Sequence, residues 1–410
     1  MQLEATCVMA TIALLGTMDT KGDEHAFVAE LIRARGHRPF IIDVGTDGPP
    51  RTKPDMSRED VARLAGIDLD ALQARHDRGE CVAAMAQAAA IILPKLHANA
   101  EIDGVLTLGG GGGTAIGTAG MRALPLGFPK LMVSTLASGN TAQYVGVKDI
   151  VMMPSIVDVS GLNRVSRVIL SRAAGAICGM VEAEPPVAED RPIVVASMFG
   201  NTTQCVQQAQ AIIESAGFEV LVFHATGTGG RTMESLIESG LAAGVLDITT
   251  TEWADELVGG VLSAGPTRLD AAGAAGVPQI VAPGCLDMVN FGAPDTVPAK
   301  FSGRTFYHHN PQVTLMRTNP EECAELGRIL AQKVNAAAGP VAVLLPTQAI
   351  SVISAPGQPF HDPATDAALF GAIKTHLRPG VRLIEIDAAI NDQAFAEACA
   401  RTLLELMPVR

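Results

Sequence analysis

The sequence predicts an α/β fold of two Rossmann-like domains, each a doubly wound parallel sheet, with a cleft between them. Three observations predict it. The chain has 410 residues, whereas a single hydrophobic core stops growing at roughly 250–300. Hydrophobic residues make up 48% of it and aromatics only 4%, so the interior is built from Ala, Val, Ile and Leu, the usual filling between helices and a buried parallel sheet. Short apolar runs ending in Gly, Thr or Asn, each followed by an Ala-rich helical stretch, recur along the chain as the signature of βαβ units.

In the first half, strands are expected at Val8–Leu15, Pro39–Val44, Gly104–Leu108, Lys130–Ser134 and Ile150–Pro154. Helices are expected at Glu24–Arg35, Arg58–Ala65, Glu80–His97, Thr114–Ala123 and Asn163–Val181, with Ser57 as N-cap of the second. The polar segment Glu182–Pro192, carrying three prolines, cannot continue a helix. It sets the expected boundary, giving domains 1–186 and 187–410. After it the rhythm restarts, with strands expected at Ile193–Met198, Glu219–His224, Val245–Thr249, Gln279–Ala282, Val341–Leu345 and Arg382–Ile386. The accompanying helices are Thr202–Ala216, Thr232–Ser239, Pro320–Ala337, Pro363–His376 and Asp392–Leu406. Between Pro283 and Arg317 the helical period vanishes, leaving about 35 residues without clear elements, a length of loop that is usually functional.

The formal net charge of −13, with no Lys/Arg run, argues against nucleic acid and anionic membrane as partners. Cysteines 7, 81, 178, 205, 285, 323 and 399 are scattered without a C-x-x-C pair, which predicts free thiols in a reducing compartment. The first residues lack a signal-peptide pattern, and no segment reaches about 18 consecutive apolar residues. A cytoplasmic location is therefore expected.

The run Leu108-Gly-Gly-Gly-Gly-Gly-Thr114 joins a strand to a helix. Glycines 109, 110, 111, 112 and 113 let the backbone approach an anion or take positive φ, and the following helix offers free N–H groups; Thr114 adds a hydroxyl. It is not a Walker A loop, because Gly-Lys-Ser/Thr is missing. A dinucleotide fingerprint wants an acidic residue about 20 positions on, where this chain has Val133-Ser-Thr135. Gly16 to Glu24 occupies the loop after the first strand, the usual ligand position in open α/β sheets. There Thr17 and Thr20 can donate to phosphate or carboxylate, Lys21 supplies a point charge, and Asp19 could hold a metal or a ribose hydroxyl. Capping of the next helix is the plain alternative. A third donor-rich loop, Ser134 to Thr141, carries Ser138, Gly139, Asn140 and Thr141.

The second half repeats the device at Gly200-Asn-Thr-Thr203 and at Thr226–Thr232, where Gly227, Gly229 and Arg231 suggest another anion cradle. In the irregular segment Cys285 could be a nucleophile with His308 or His309 as base, or these groups with Asp287 could bind a divalent metal. A buried thiol and hydrogen-bonded loop histidines are the plainer alternative. Asp362 is a natural N-cap with Pro363 at the first helical position, which leaves His361 and Asp366 as minor candidates.

These landmarks resemble the family typified by the N-terminal ATP-binding domain of the tomato tobamovirus-resistance protein. The resemblance is carried in order by residues 16–22, 108–114, 137–146, 283–290, 309–318 and 359–363. It implies two Rossmann-like domains, a nucleotide held mostly by the first, and self-association as a homodimer. Carried onto this chain, it implies ATP among Gly16, Thr17, Thr20, Lys21, the glycine run and Ser138–Thr141, with Mg²⁺ near Asp19. The alternative expectation is a metabolic enzyme that holds a small carboxylate or phosphate ester and acts through Cys285, Asp287, His308 and His309.

Overall fold

The structure, a computed structural model, describes residues 9–184 and 190–408. Contacts divide the chain into two compact units, residues 1–187 and 188–410. The expected boundary between 186 and 187 lies outside the described residues, as do Cys7 and the expected strand start at Val8.

The first unit runs β1 (Thr11–Gly16), α1 (Met18–Arg33), β2 (Arg38–Asp43), α2 (Arg58–Ala65), α3 (Leu69–Ala74) and α4 (Arg78–Ala98). It continues with β3 (Gly104–Gly109), α5 (Gly111–Arg122), β4 (Lys130–Ser134), α6 (Ala142–Val145), β5 (Val151–Pro154) and α7 (Arg164–Glu182). The strands form one sheet in the order β2-β1-β3-β4-β5, every pair parallel. Because strand side chains alternate between faces, Ala13 and Leu15 of β1 pack with α4 and α5, while Ile12 and Leu14 pack with α1 and α7. That is double winding. Burying each such Leu or Ile contributes about 1.5–3 kcal/mol. By length and composition α4 could cross a membrane, yet its Met85, Ala88, Ala89, Ile92 and Leu93 belong to the core of this unit.

The second unit runs β6 (Ile193–Met198), α8 (Thr203–Ser215), β7 (Glu219–His224), α9 (Thr228–Glu238), β8 (Ala242–Thr249), α10 (Glu252–Val258) and α11 (Ala271–Ala275). Then come β9 (Gln279–Gly284), β10 (Met288–Phe291), β11 (Phe306–Asn310), β12 (Val313–Arg317) and α12 (Pro320–Asn335). The unit ends with β13 (Val341–Pro346), α13 (Pro363–His376), β14 (Arg382–Ile386) and α14 (Gln393–Leu406). Its main sheet, β14-β13-β9-β8-β6-β7, is parallel throughout. One face carries α8 and α14, and the other carries α10, α12 and α13.

Three sequence expectations are corrected here. The segment 283–317 is not without elements, because β10, β12 and β11 form a three-stranded antiparallel sheet within it. The stretch after β1 is not a loop: α1 starts at Met18, with a kink where Lys21 leaves helical φ/ψ. The glycine run likewise folds as the first turn of α5, with Gly110 as N-cap.

Candidate functional site

In the first unit β1 lies between β2 and β3, so the chain leaves β1 and β3 toward opposite faces of the sheet. Open α/β sheets bind ligands beyond the strand ends at such a switch point. A cavity of about 740 Å³ lies there. Thr17, Asp19, Thr20 and Lys21 enter it after β1, and Gly109 to Gly113 after β3. Asp47 follows β2, His76 and Arg78 flank the start of α4, and Thr135 and Asp158 follow β4 and β5.

Three helices, α1, α4 and α5, therefore begin at one cavity. The positive ends of their dipoles and the first-turn N–H groups of α5, which no side chain caps, favour an anion; in α1 the Met18 N–H is taken by Asp43 and in α4 the Glu80 N–H by Asp77. Close approach is what the glycines supply. A Cβ on Gly109 would lie 2.8 Å from the Gly113 Cα, so strand end and helix start could not meet with side chains there. None of glycines 109 to 113 uses positive φ. Two cations complete the wall, since among the described residues neither Lys21 nor Arg78 forms an ion pair. The Arg78 guanidinium lies 4.0 Å from where a Cβ on Gly112 would sit.

Asp19 is buried in this wall and has a structural task. Its Oδ2 accepts the Asp47 N–H at 3.0 Å and lies 3.6 Å from Arg58 Nη1. Arg58 Nε and Nη2 both lie 2.7 Å from Asp43 Oδ2, while Asp43 Oδ1 accepts the N–H groups of Met18 and Gly45. This network ties the start of α1 to the segment after β2. Asp19 Oδ1 has no hydrogen-bond partner among the described residues, but a lone carboxylate beside a guanidinium is a poor seat for a resident divalent cation. No group of three His, Cys, Asp or Glu side chains among the described residues could hold a metal.

Other expected ligand residues fall outside the cavity. Gly16, the last residue of β1, packs against the His25 ring, 2.3 Å from where its Cβ would sit, so glycine is required there. Thr114 is buried, and its hydroxyl shares a 2.6 Å hydrogen bond with Ser134. Ser138, Gly139 and Asn140 are exposed, Thr141 is half-buried, and none of the four lines the cavity. Thr135, in the expected donor-rich loop after β4, does line the cavity, whereas Arg78 and Asp47 escaped sequence reading because they flank elements distant in sequence from the glycine run.

His25 reports on this scaffold. It is fully buried, its Nδ1 lies 2.7 Å from the Lys21 carbonyl, and burial lowers its pKa below the ordinary 6.5. The folded state therefore keeps the ring neutral while the unfolded chain protonates near 6.5. Its contribution to stability is complete above that pH and is lost as pH falls from there through the folded value. The urea midpoint is expected to drop more steeply between pH 7 and pH 5 in the wild type than in His25→Gln; parallel curves would assign the acid sensitivity elsewhere.

The irregular segment does not assemble the expected catalytic group. Cys285 is fully buried at φ +60°, and burial pushes its thiol pKa well above the ordinary range. Asp287 is fully buried, which raises its carboxyl to about 6, and it accepts the Ser351 hydroxyl at 2.7 Å. His308 and His309 instead stand exposed on β11. A buried protonated thiol without an imidazole base is no nucleophile. Asp366 pairs with Arg317 at 2.6 Å, and Asp362 caps α13.

At the switch point of the second unit, between β6 and β8, the expected anion cradle is already filled from within. Glu252 Oε1 accepts the N–H groups of Gly227 at 2.7 Å and Gly230 at 3.0 Å. Its Oε2 accepts Arg268 Nε at 2.7 Å. The same guanidinium holds Asp247 through two hydrogen bonds of 2.5 and 2.6 Å, and Glu234 at 3.1 Å. A Cβ on Gly230 would lie 2.1 Å from Glu252 Oε2, so the glycine makes room for the protein's own carboxylate. Arg231 is exposed, and Thr202 of the Gly200–Thr203 turn is tied to Thr249 at 2.7 Å.

Comparison with known proteins places this architecture. The tomato ToMV resistance protein Tm-1(GCR237) is 37% identical over 96% of this chain and 55% of its own length. A UPF0261 protein of Clostridium tetani is 48% identical over 97% of this chain and 98% of its own, and one of Rhizobium meliloti is 50% identical over 95% and 97%. Among solved structures, a UDP-N-acetylglucosamine 2-epimerase covers 91% of this chain and 92% of its own at 10% identity, with a TM-score of 0.25. That degree of superposition carries no functional information. The descriptions "Uncharacterised protein family (UPF0261) N-terminal domain" and "C-terminal domain" match residues 10–186 and 191–407, and the chain belongs to that family.

Proposed function

We propose that the first unit binds a nucleotide, ATP, in the cavity at the β1/β3 switch point. The observation that carries this reading is the convergence on one cavity of about 740 Å³ of three helix N-termini and two cations, Lys21 and Arg78, that form no ion pair among the described residues. Nucleotide and other small-molecule sites occupy about 300–1,000 Å³. A triphosphate is the anion best matched to several N-termini at once, and Asp47 after β2 is an acceptor for ribose hydroxyls. Mg²⁺ enters this reading as a companion of the phosphates, which can hold it with one or two protein carboxylates or with water. The resemblance to the resistance-protein family points the same way.

The test is the thermal unfolding midpoint in the presence of ATP, AMP, inorganic phosphate and small carboxylates, each with and without Mg²⁺. ATP at about 100 times its dissociation constant is expected to stabilise the protein by roughly 2.7 kcal/mol. No shift with any nucleotide, together with a clear one from a carboxylate, would instead assign the cavity to a small metabolic acid.

A further inference from the structure

A second recess lies within the other unit, against its antiparallel sheet. Its volume is about 220 Å³, and its walls are Val297, Pro298, Phe301 and Phe306. Thr314 forms part of the lining on the central strand, β12, and is only 1% exposed. Its hydroxyl has no hydrogen-bond partner among the described residues. Leaving such a group unpaired costs about 1–3 kcal/mol, whereas valine would occupy the same place at no such cost. Directly opposite Thr314 on β11 stands His308, and on β10 stands Phe291. Cross-strand partners share a face of the sheet, which sets the exposed His308 imidazole beside that hydroxyl; both line the recess. Phe291 and Phe301 meet with ring centroids 5.4 Å apart, and Lys300 Nζ lies 4.7 Å from the Phe301 ring centroid.

We propose that this recess binds a small monocyclic aromatic molecule bearing a single hydroxyl or carboxyl group. The volume falls below the range of about 300–1,000 Å³ typical of drug-sized ligands, so it fits one ring rather than two. Proline and phenylalanine walls present flat apolar surface to that ring. The ring's polar substituent meets Thr314, whose hydroxyl can donate or accept, and His308, whose imidazole nitrogens do the same. Lys300 beside the aromatic wall favours an acid over an amine. His308, read from sequence as a catalytic base, thus becomes a recognition residue.

Ligand-observed NMR titrations of the full chain with 4-methylphenol and with toluene test this. 4-Methylphenol is expected to bind at least tenfold more tightly than toluene. Thr314→Val keeps the side-chain volume and removes an unsatisfied hydroxyl, so it folds; it is expected to weaken 4-methylphenol about tenfold and leave toluene unchanged, the scale of one lost hydrogen bond. Ala299→Trp, at an exposed lining position, is expected to exclude both probes. Equal wild-type affinities for the two probes, or binding that survives Ala299→Trp, overturns the proposal.

Discussion

Arg268→Met is expected to destabilise the second unit by about 3–5 kcal/mol or more, the cost of stranding buried partners of an ion pair. Arg268 is 1% exposed and is shared by Glu234, Asp247 and Glu252. Those charges hold its own pKa well above the ordinary guanidinium value despite burial. Methionine matches much of the volume but none of the charge, so three carboxylates face a dry interior, where an unpaired charge is far costlier than in water. Against a typical total of about 5–15 kcal/mol, such a loss approaches the limit of folding. Chemical denaturation with hydrogen exchange resolved by unit measures it. Burial already raises the Glu234 carboxyl above its ordinary value with the Arg268 charge opposing that rise; without Arg268 it rises further, so protonation relieves the stranded charge and acid favours the folded variant. The deficit is therefore expected to shrink from pH 8 to pH 5. A deficit under about 1 kcal/mol at pH 8 would mean that water reaches the network.

The strands of both sheets were legible in the sequence because a parallel strand buried on both faces is a dense apolar run. Lys130–Ser134, Ile193–Met198, Glu219–His224 and Arg382–Ile386 have the bounds read from sequence. The short strands of segment 283–317 were not. β11 reads Phe-Tyr-His-His-Asn, without alternation, and β10 pairs with β12 across more than 20 intervening residues, a partnership no local pattern reports. The candidate site divides on the same ground. Thr17, Lys21 and the glycines announce themselves by position after a strand, whereas Arg78 is brought to the site by packing of α4 on α5. Local chemistry also misled where a helix start resembled a ligand loop. The cradle at Gly227 has the composition of an anion site and is one, but its anion is Glu252.

That contrast between the two switch points dictates the most severe test of the nucleotide reading. Gly112→Asp in the first unit is expected to abolish ATP binding, with a loss of at least a hundredfold, while the chain stays folded. Gly112 sits in the first turn of α5, where a carboxylate stabilises a helix by about 0.3–1 kcal/mol. A Cβ there would lie 3.2 Å from a Val82 methyl, which can give way, and 4.0 Å from Arg78 Nη2. An aspartate there would pair with Arg78 and face the same N–H groups that the ligand needs, as Glu252 does at the start of α9. Lys21→Ala and Arg78→Ala, each removing one charged donor, are expected to weaken ATP about tenfold apiece, the scale of a charge-assisted hydrogen bond. Calorimetric titration separates the outcomes. If Gly112→Asp binds ATP with wild-type affinity, the nucleotide lies elsewhere; if it loses ATP and keeps the apo unfolding midpoint, an internal carboxylate has closed the first switch point as Glu252 closes the second.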